Sequence, residues 1–311
     1  MGLSTFSAFK HVRLPGSVEL DGDQLRSLQK VELEIVRDVC GLCRDLGFTC
    51  ALAGGSALGA LRHGGFIPWD DDVDLLMPRR DYELFRDEFR TRYADRYWVH
   101  DAVITPGYPL GSMRIRRKGT SVVTREDVLT GNRECGVFLD VFIVENTCDN
   151  AALRTLHGFG SMALGFLYSC RKAFAERRLL KSCAGGGLAF DRIVRIKSAI
   201  GFVLAFMGVN RWVRLWNVWN AICRNEESLH VTVPVGRGHF FGELGLRSEL
   251  CETRMLSFEG ESLPCPRGLE QYLTRLYGPD YMTPPPEAER EAHGVYAPVR
   301  CPGESCVIVV Y

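Results

Sequence analysis

The chain has 311 residues, 46% of them hydrophobic, with Lys plus Arg and Asp plus Glu both at 38, so its formal net charge is zero. The apolar share is what a globular core requires and excludes a disordered chain, and the zero balance excludes a global field drawing the protein to nucleic acid or an anionic surface. Charge preference is therefore regional: between Ala151 and Asn220 eleven basic residues stand against two acidic ones, a local balance of +9.

Residues 1–22 read as an N-terminal extension. Met1 to Lys10 offers no apolar h-region of a secretory signal, and Phe6 stands where an N-myristoylation motif needs a hydroxyl residue. From Asp23 to Leu46 apolar residues recur at Leu25, Leu28, Val31, Ile35, Val39, Leu42 and Leu46, one face of a helix that Gly47 ends. Cys40 and Cys43 on it form a C-x-x-C with no second pair at zinc spacing, and the twelve scattered cysteines read as mostly buried free thiols.

Phe48 to Ala53 is a short buried strand running into the turn Gly54-Gly55, and Ser56 to Arg62 a short helix that opens there. After Gly64-Gly65 and Pro68, the alternation Asp72-Val73-Asp74-Leu75-Leu76 predicts a strand, ended by Pro78. Arg80 to Arg92 carries Tyr82, Phe85 and Phe89 on a second amphipathic helix, and further strands are expected at Ser112 to Arg116 and Val137 to Val144. Strands and helices interleave, so 23–150 is an α+β core.

Leu153 to Asn220 lacks strand signals and reads as helices broken at Gly185-Gly186-Gly187, making 151–235 a basic helical insertion. Its longest apolar run, Ser198 to Val209, is shorter than the ~20 residues of a spanning helix. Residues 236–311 are a C-terminal segment packing on the core, with a helix at Leu269 to Tyr277 and a proline exit at Pro284-Pro285-Pro286.

Alternation puts Asp72 and Asp74 on one strand face, Cα atoms ~6.6 Å apart. Two ionised carboxylates so close favour a cation between them, and oxygen donors suit Mg²⁺ or Mn²⁺. Asp140 is a lone acid in the apolar pattern Phe138-Leu139-Asp140-Val141-Phe142, and a third carboxylate from a neighbouring strand would complete a two-metal arrangement. Gly54, Gly55 and Ser56 supply backbone N–H groups at a helix N-terminus, which bind phosphate oxygens. Singly, a Gly-Gly is usually a turn and a D-x-D a solvated loop. Together, strand, glycine turn, helix, D-x-D and a later strand acid are the layout of a nucleotidyltransferase-like mixed sheet flanked by helices.

The stretch from Gly54 through Arg62-His63-Gly64-Gly65-Phe66-Ile67-Pro68-Trp69-Asp70-Asp71-Asp72-Val73-Asp74 resembles the core motif of the LicD family, which includes phosphocholine transferases and is related to the fukutins. The resemblance continues at Phe138 to Phe142, at Phe258-Glu259-Gly260, and through Tyr272, Leu276-Tyr277-Gly278, Tyr281-Met282 and Pro284-Pro285. It implies transfer of a phospho-alcohol such as phosphocholine or ribitol phosphate from a CDP-activated donor (CDP-choline, for instance) to a hydroxyl of a glycan or glycolipid. Asp72, Asp74 and Asp140 would then hold the metals, and CMP would leave.

Asp70 and Asp71 read as a base or supporting acceptors, or as loop solvation. Arg62 and His63 are phosphate contacts or a solvated helix end, and Trp69 stacks on a ligand or packs. Arg114, Arg116, Arg117 and Lys118 form a basic strand end beside the donor site or a solvated edge. Tyr272, Tyr277, Tyr281 and Met282 pack the C-terminal segment or line an acceptor or quaternary-amine pocket. Two other functions stay open: a nucleotidyltransferase using a nucleoside triphosphate, and a non-catalytic scaffold docking to membranes. Residues 153–220, with Trp212, Trp216 and Trp219 at helical spacing, are interfacial helices or simply a packed subdomain. The expected location is cytoplasmic or peripheral to a membrane, with the Golgi lumen open.

Overall fold

Asp21, two residues ahead of the expected start, caps the first long helix, α1 (Gly22–Leu46), in a computed structural model that describes residues 17–18, 20–181, 187–287, 290 and 295–300. Most of the N-terminal extension, Gly185-Gly186 and residues 301–311 lie outside the described residues. The Asp21 carboxylate accepts from Gln24 N at 2.8 Å, Gln24 Oε1 accepts from Asp21 N at 3.2 Å, and Gly47 ends the helix at φ 71°. A cap of this kind contributes about 1 kcal/mol. Leu28, Val31, Ile35, Val36, Val39 and Leu42 form the buried face. Each contributes about 1.5–3 kcal/mol relative to exposure. Glu32 is buried with them.

A two-residue strand β1 (Ser17–Val18) precedes α1, and the chain then runs through β2 (Ala51–Leu52), α2 (Gly54–His63), β3 (Asp74–Pro78), α3 (Arg79–Arg92), β4 (Tyr97–His100), β5 (Met113–Arg117), β6 (Ser121–Val123), α4 (Arg125–Thr130) and β7 (Phe138–Asn146). The main sheet has the order β2-β3-β7-β5-β4. β3 and β7 are parallel and the other neighbours antiparallel. Helices α1 and α3 pack on β7 and on each other, with Tyr82, Phe85 and Phe89 buried beneath α3. The result is a mixed sheet flanked by helices.

Next come α5 (Ala151–Ala175), α6 (Arg177–Lys181), α7 (Gly187–Val203), a 3-10 turn at Leu204–Phe206, and α8 (Val209–Asn220). At Gly201 a Cβ would lie 2.1 Å from Cys170 O, so this glycine is what lets α7 lie against α5. The tryptophans expected at a water boundary do other work. Trp212 and Trp216 are buried, Trp216 Nε1 donates to Ser161 Oγ at 3.1 Å, and Trp219 Nε1 donates to His157 O at 2.9 Å. These three side chains pack within the helices. The exposed apolar side chains of this segment include Leu188, Phe202, Val203, Phe206 and Val218, with Phe202 67% and Phe206 72% exposed. Among the described residues no single helix is long and apolar enough to cross a membrane, and only a pair bent by 90°, Phe190–Phe206 with Val209–Asn220, reaches that length and composition jointly.

The C-terminal part adds β8 (His230–Thr232), α9 (His239–Gly242), β9 (Gly245–Leu246), α10 (Arg247–Leu250), β10 (Thr253–Phe258), β11 (Glu261–Pro266), α11 (Leu269–Tyr277) and β12 (Val295–Arg300). β8 prolongs the sheet at Glu145 and Asn146, and β12 lies between β1 and β6. Glu259 and Gly260, at φ 51° and 79°, form the two-residue turn of the β10–β11 hairpin, which demands positive φ at both positions. This hairpin and α11 pack on α2, so the C-terminal segment closes over the glycine turn. The nine described cysteines are free thiols.

Candidate active site

The first residues of α2 are shaped by two carboxylates. Gly54 has φ 47°, and a Cβ there would sit 3.6 Å from Asp74 Oδ2 and 3.5 Å from Tyr277 Oη. A Cβ on Gly55 would come within 2.8 Å of Asp70 Oδ2. Ser56 ties the turn to the strand, its Oγ accepting from Asp74 N at 3.0 Å, while Ala53 N donates to Asp74 O at 2.8 Å. Gly54 N donates to Tyr272 Oη at 3.2 Å. The turn's anion-binding capacity therefore rests on the amides of Gly55 and Ser56, which have no i−4 carbonyl within the helix.

Asp72 does not share the strand with Asp74. β3 begins at Asp74, and Asp70, Asp71 and Asp72 occupy the loop before it, offering one carboxylate oxygen each within 4.8 Å of one another. In an extended strand Asp71 would point away from its two neighbours; the loop lets all three converge. Its start is fixed by a turn in which Asp70 N donates to Ile67 O at 2.9 Å, and by Gln29 Nε2 of α1, which donates to Asp70 O at 2.9 Å.

Beneath the loop lies a fifth acid outside the D-x-D reading. Glu32 is 1% exposed and its Oε2 has no hydrogen-bond partner. Burial, then Asp72, Asp71, Asp70 and Asp74 in that order, push its carboxyl well above the usual range. The sequence held one signal for it: a glutamate four residues after Leu28 and three before Ile35, inside an apolar stripe.

Asp140 stands at the same register position as Asp74 on the parallel pair β3–β7. Its charge is matched within the protein: Arg114, its antiparallel partner on β5, donates Nε to Oδ1 at 3.0 Å and Nη2 to Oδ2 at 2.7 Å. Burial opposes the charge on Arg114, and Asp140 overrides it, holding the guanidinium above its ordinary range. Asp140 thus reaches the strand position expected of the later acid, with each of its oxygens accepting one hydrogen bond from Arg114.

Arg116 departs from the expected donor contact or solvated edge. Its side chain is 1% exposed and Nη2 grips both oxygens of Asp127 at 2.9 Å, anchoring the first turn of α4. As placed, it offers no charge to a ligand. Together with Arg114, His100, Tyr108, Glu126 and Asp127 it walls a cavity of about 120 Å³ behind the Arg114–Asp140 pair. Burial, then Arg116, pull His100 there down to about 4, which keeps it neutral near pH 7.

Arg62, at the far end of α2, donates Nη1 to Tyr281 O at 2.9 Å and so is tied to the C-terminal segment. Arg237 lies 5.2 Å from the Tyr277 ring centre, and Arg290 sits 4.2 Å from that of Trp69. Neither arginine stood out in the sequence. Burial raises the Tyr277 hydroxyl, with Arg237 opposing and Asp70, Asp74 and Asp72 adding to the rise, so Tyr277 faces the acids. Glu259 Oε1 accepts from Phe66 N at 3.2 Å, and a Cβ on Gly65 would lie 2.3 Å from it, so the hairpin turn clamps the loop from above.

The donor set fits a divalent cation. It consists of carboxylate oxygens, which hard cations take, and the orphaned Oε2 of Glu32 marks a cluster whose like charges a cation would balance.

Residues 47–115 match the family model described as LicD/FKTN/FKRP, nucleotidyltransferase domain. The chain is 24% identical over 284 residues to the lipopolysaccharide cholinephosphotransferase LicD of Haemophilus influenzae, a match covering 87% of this chain and 96% of that protein. Over 42 residues it is 55% identical to the ribitol 5-phosphate transferase FKRP of Homo sapiens and of Mus musculus, 14% of this chain and 8% of each of those proteins. The matched region holds the glycine turn, the acidic loop, β3 and Arg114, and the chain carries a LicD-family domain there.

Proposed function

We propose that this protein transfers a phospho-alcohol, phosphocholine or a close relative, from a CDP-activated donor to a hydroxyl of a glycan or glycolipid. The observation that carries the reading is the meeting of the acidic loop with the glycine turn, where the Asp70 and Asp74 carboxylates lie against Gly55 and Gly54. An anion-binding helix start beside converging acids suits a diphosphate neutralised by a divalent cation. The similarity to a cholinephosphotransferase along most of the chain supports the phospho-alcohol half of the assignment. In this reading the core, 23–150, is nucleotidyltransferase-like, 151–235 is an insertion and 236–311 closes the site.

The amides of Gly55 and Ser56 hold the diphosphate oxygens. The carboxylates of Asp70, Asp71, Asp72 and Asp74 would hold Mg²⁺ or Mn²⁺, which would supply positive charge beside the phosphorus oxygens. Asp140 keeps Arg114 oriented at the same sheet face, where the guanidinium offsets charge on the leaving CMP. The Asp70 oxygen left off the cation takes the proton of the attacking hydroxyl as that hydroxyl's oxygen bonds to phosphorus, and the bond between phosphorus and the CMP oxygen breaks in line. Tyr277 and Arg237 wall the site on the C-terminal side.

A panel of CDP-alcohols, each incubated with the protein, a glycan acceptor and Mn²⁺, tests the reading through CMP release. Release from at least one CDP-alcohol that stops on chelation supports it. Pyrophosphate release from CTP, with every CDP-alcohol left intact, contradicts it.

A further inference from the structure

We propose that Glu32 is a positioning residue for the cation, a buried carboxylate that supplies charge beneath the acidic loop without being one of its converging ligands. The inference rests on the reading of that loop as a cation site and adds a residue from a different element. Glu32 lies on α1, 38 positions before Asp70 in sequence.

Three observations place it. Gln29, three residues earlier on the same helix face and 2% exposed, donates Nε2 to Asp70 O at 2.9 Å, so this turn of α1 abuts the loop. Glu32 is itself 1% exposed, and its Oε2 has no hydrogen-bond partner, which a side chain kept only for packing would not need to leave. Finally, Asp72, Asp71, Asp70 and Asp74 all act on its carboxyl electrostatically, so the acids of the site face it.

A glutamate among Leu28, Val31 and Ile35 is costly as a core residue, and an apolar side chain would fill the same space at less cost. Its position makes sense if the charge is used. Asp70, Asp71 and Asp72 converge at the surface of the loop, where water screens them. Glu32 acts from the dry side, where screening is weak, so its charge deepens the attraction for a cation held by the three and draws that cation toward the core. Its oxygens are not among those that converge within 4.8 Å, so its part is support.

The experiment uses the full chain and Mn²⁺ alone, with affinity read by electron paramagnetic resonance and stability by thermal melting with and without metal. Glu32→Gln keeps the shape and removes the charge; Glu32→Leu replaces it with an apolar group. Each is expected to weaken Mn²⁺ binding about tenfold, to shrink the metal-induced rise in Tm, and to leave the metal-free Tm no lower than wild type. Mn²⁺ affinity unchanged in either folded variant, when wild type binds and Asp72→Asn does not, overturns this inference alone. A metal-free Tm that falls while affinity holds also overturns it, because the residue would then be structural. No Mn²⁺ binding by wild type removes both this inference and the cation reading beneath it.

Discussion

Asp74 and Asp140 occupy one register position on the parallel strands β3 and β7, so their side chains leave the same face of the sheet with Cα atoms about 4.8 Å apart. What separates them is Arg114, which takes both oxygens of Asp140 and leaves Asp74 to the glycine turn.

The acids should therefore respond differently to the same substitution. Asp140→Asn leaves the buried Arg114 guanidinium without its counter-charge and should cost about 3–5 kcal/mol of stability as well as activity. Asp72→Asn and Asp74→Asn should keep the wild-type Tm within a few degrees and lose metal-dependent turnover by at least about 100-fold. Thermal melts and CMP release on the three proteins, side by side, make the comparison.

Two glycines of α2 allow a second contrast. At Gly59 an added Cβ would meet the backbone oxygen of Gly65 at 2.5 Å, which cannot swing away, so Gly59→Ala should destabilise by roughly 1–3 kcal/mol. At Gly55 the obstacle is the Asp70 carboxylate, the end of a side chain. Gly55→Ala should fold normally, push Asp70 aside and reduce turnover by at least about tenfold. A Gly55→Ala protein with full activity would remove Asp70 and the turn from the site.

Stability should carry the signature of Glu243, which is 2% exposed and pushed up to about 7 by burial from its ordinary 4.5, with Gly238 N and the nearby Arg275 and Arg237 opposing. Below pH 4.5 the carboxyl is neutral in both states and costs nothing. Between 4.5 and 7 the unfolded chain ionises first, so stability falls as pH rises, by on the order of 3 kcal/mol at most, and is flat above. Glu243→Gln should melt higher than wild type at pH 8 and close to it at pH 4.5. Equal melting curves for the two proteins across that range would contradict this.

The exposed Phe202 and Val203 of α7 and Phe206 of the turn that follows, in the same segment as the exposed Arg192 and Arg195, form the strongest case for peripheral membrane contact. Co-sedimentation with anionic vesicles should be seen at low salt and weaken as salt is added, at about 1 kcal/mol per engaged basic residue. The double substitution Phe202→Ser, Phe206→Ser should reduce binding several-fold and leave CMP release with a soluble acceptor unchanged. Equal binding to neutral and anionic vesicles would remove the electrostatic part.

Periodicity made α1, α3 and β7 legible because each buries one continuous face, and the glycines and acids from Gly54 to Asp74 announced the site. Alternation misplaced Asp72, because D-x-D looks the same on a strand as in a loop that gathers three carboxylates. Arg114 and Arg116 looked alike, but one pairs across the sheet with Asp140 and the other is buried on Asp127, a distinction set by contacts that no local pattern records. The hairpin β10–β11 was hidden by Pro264 and Pro266, and Glu32 by its place in an apolar stripe.

The most direct test of the account is the mass of the product. With CDP-choline labelled in its choline methyl groups, a purified glycan acceptor and Mn²⁺, the account predicts that wild-type protein adds the mass of one phosphocholine and releases one CMP, and that Asp74→Asn adds nothing. An acceptor carrying the cytidylyl group, or an unmodified acceptor with every CDP-alcohol tried while wild type is folded and metal-bound, would contradict it.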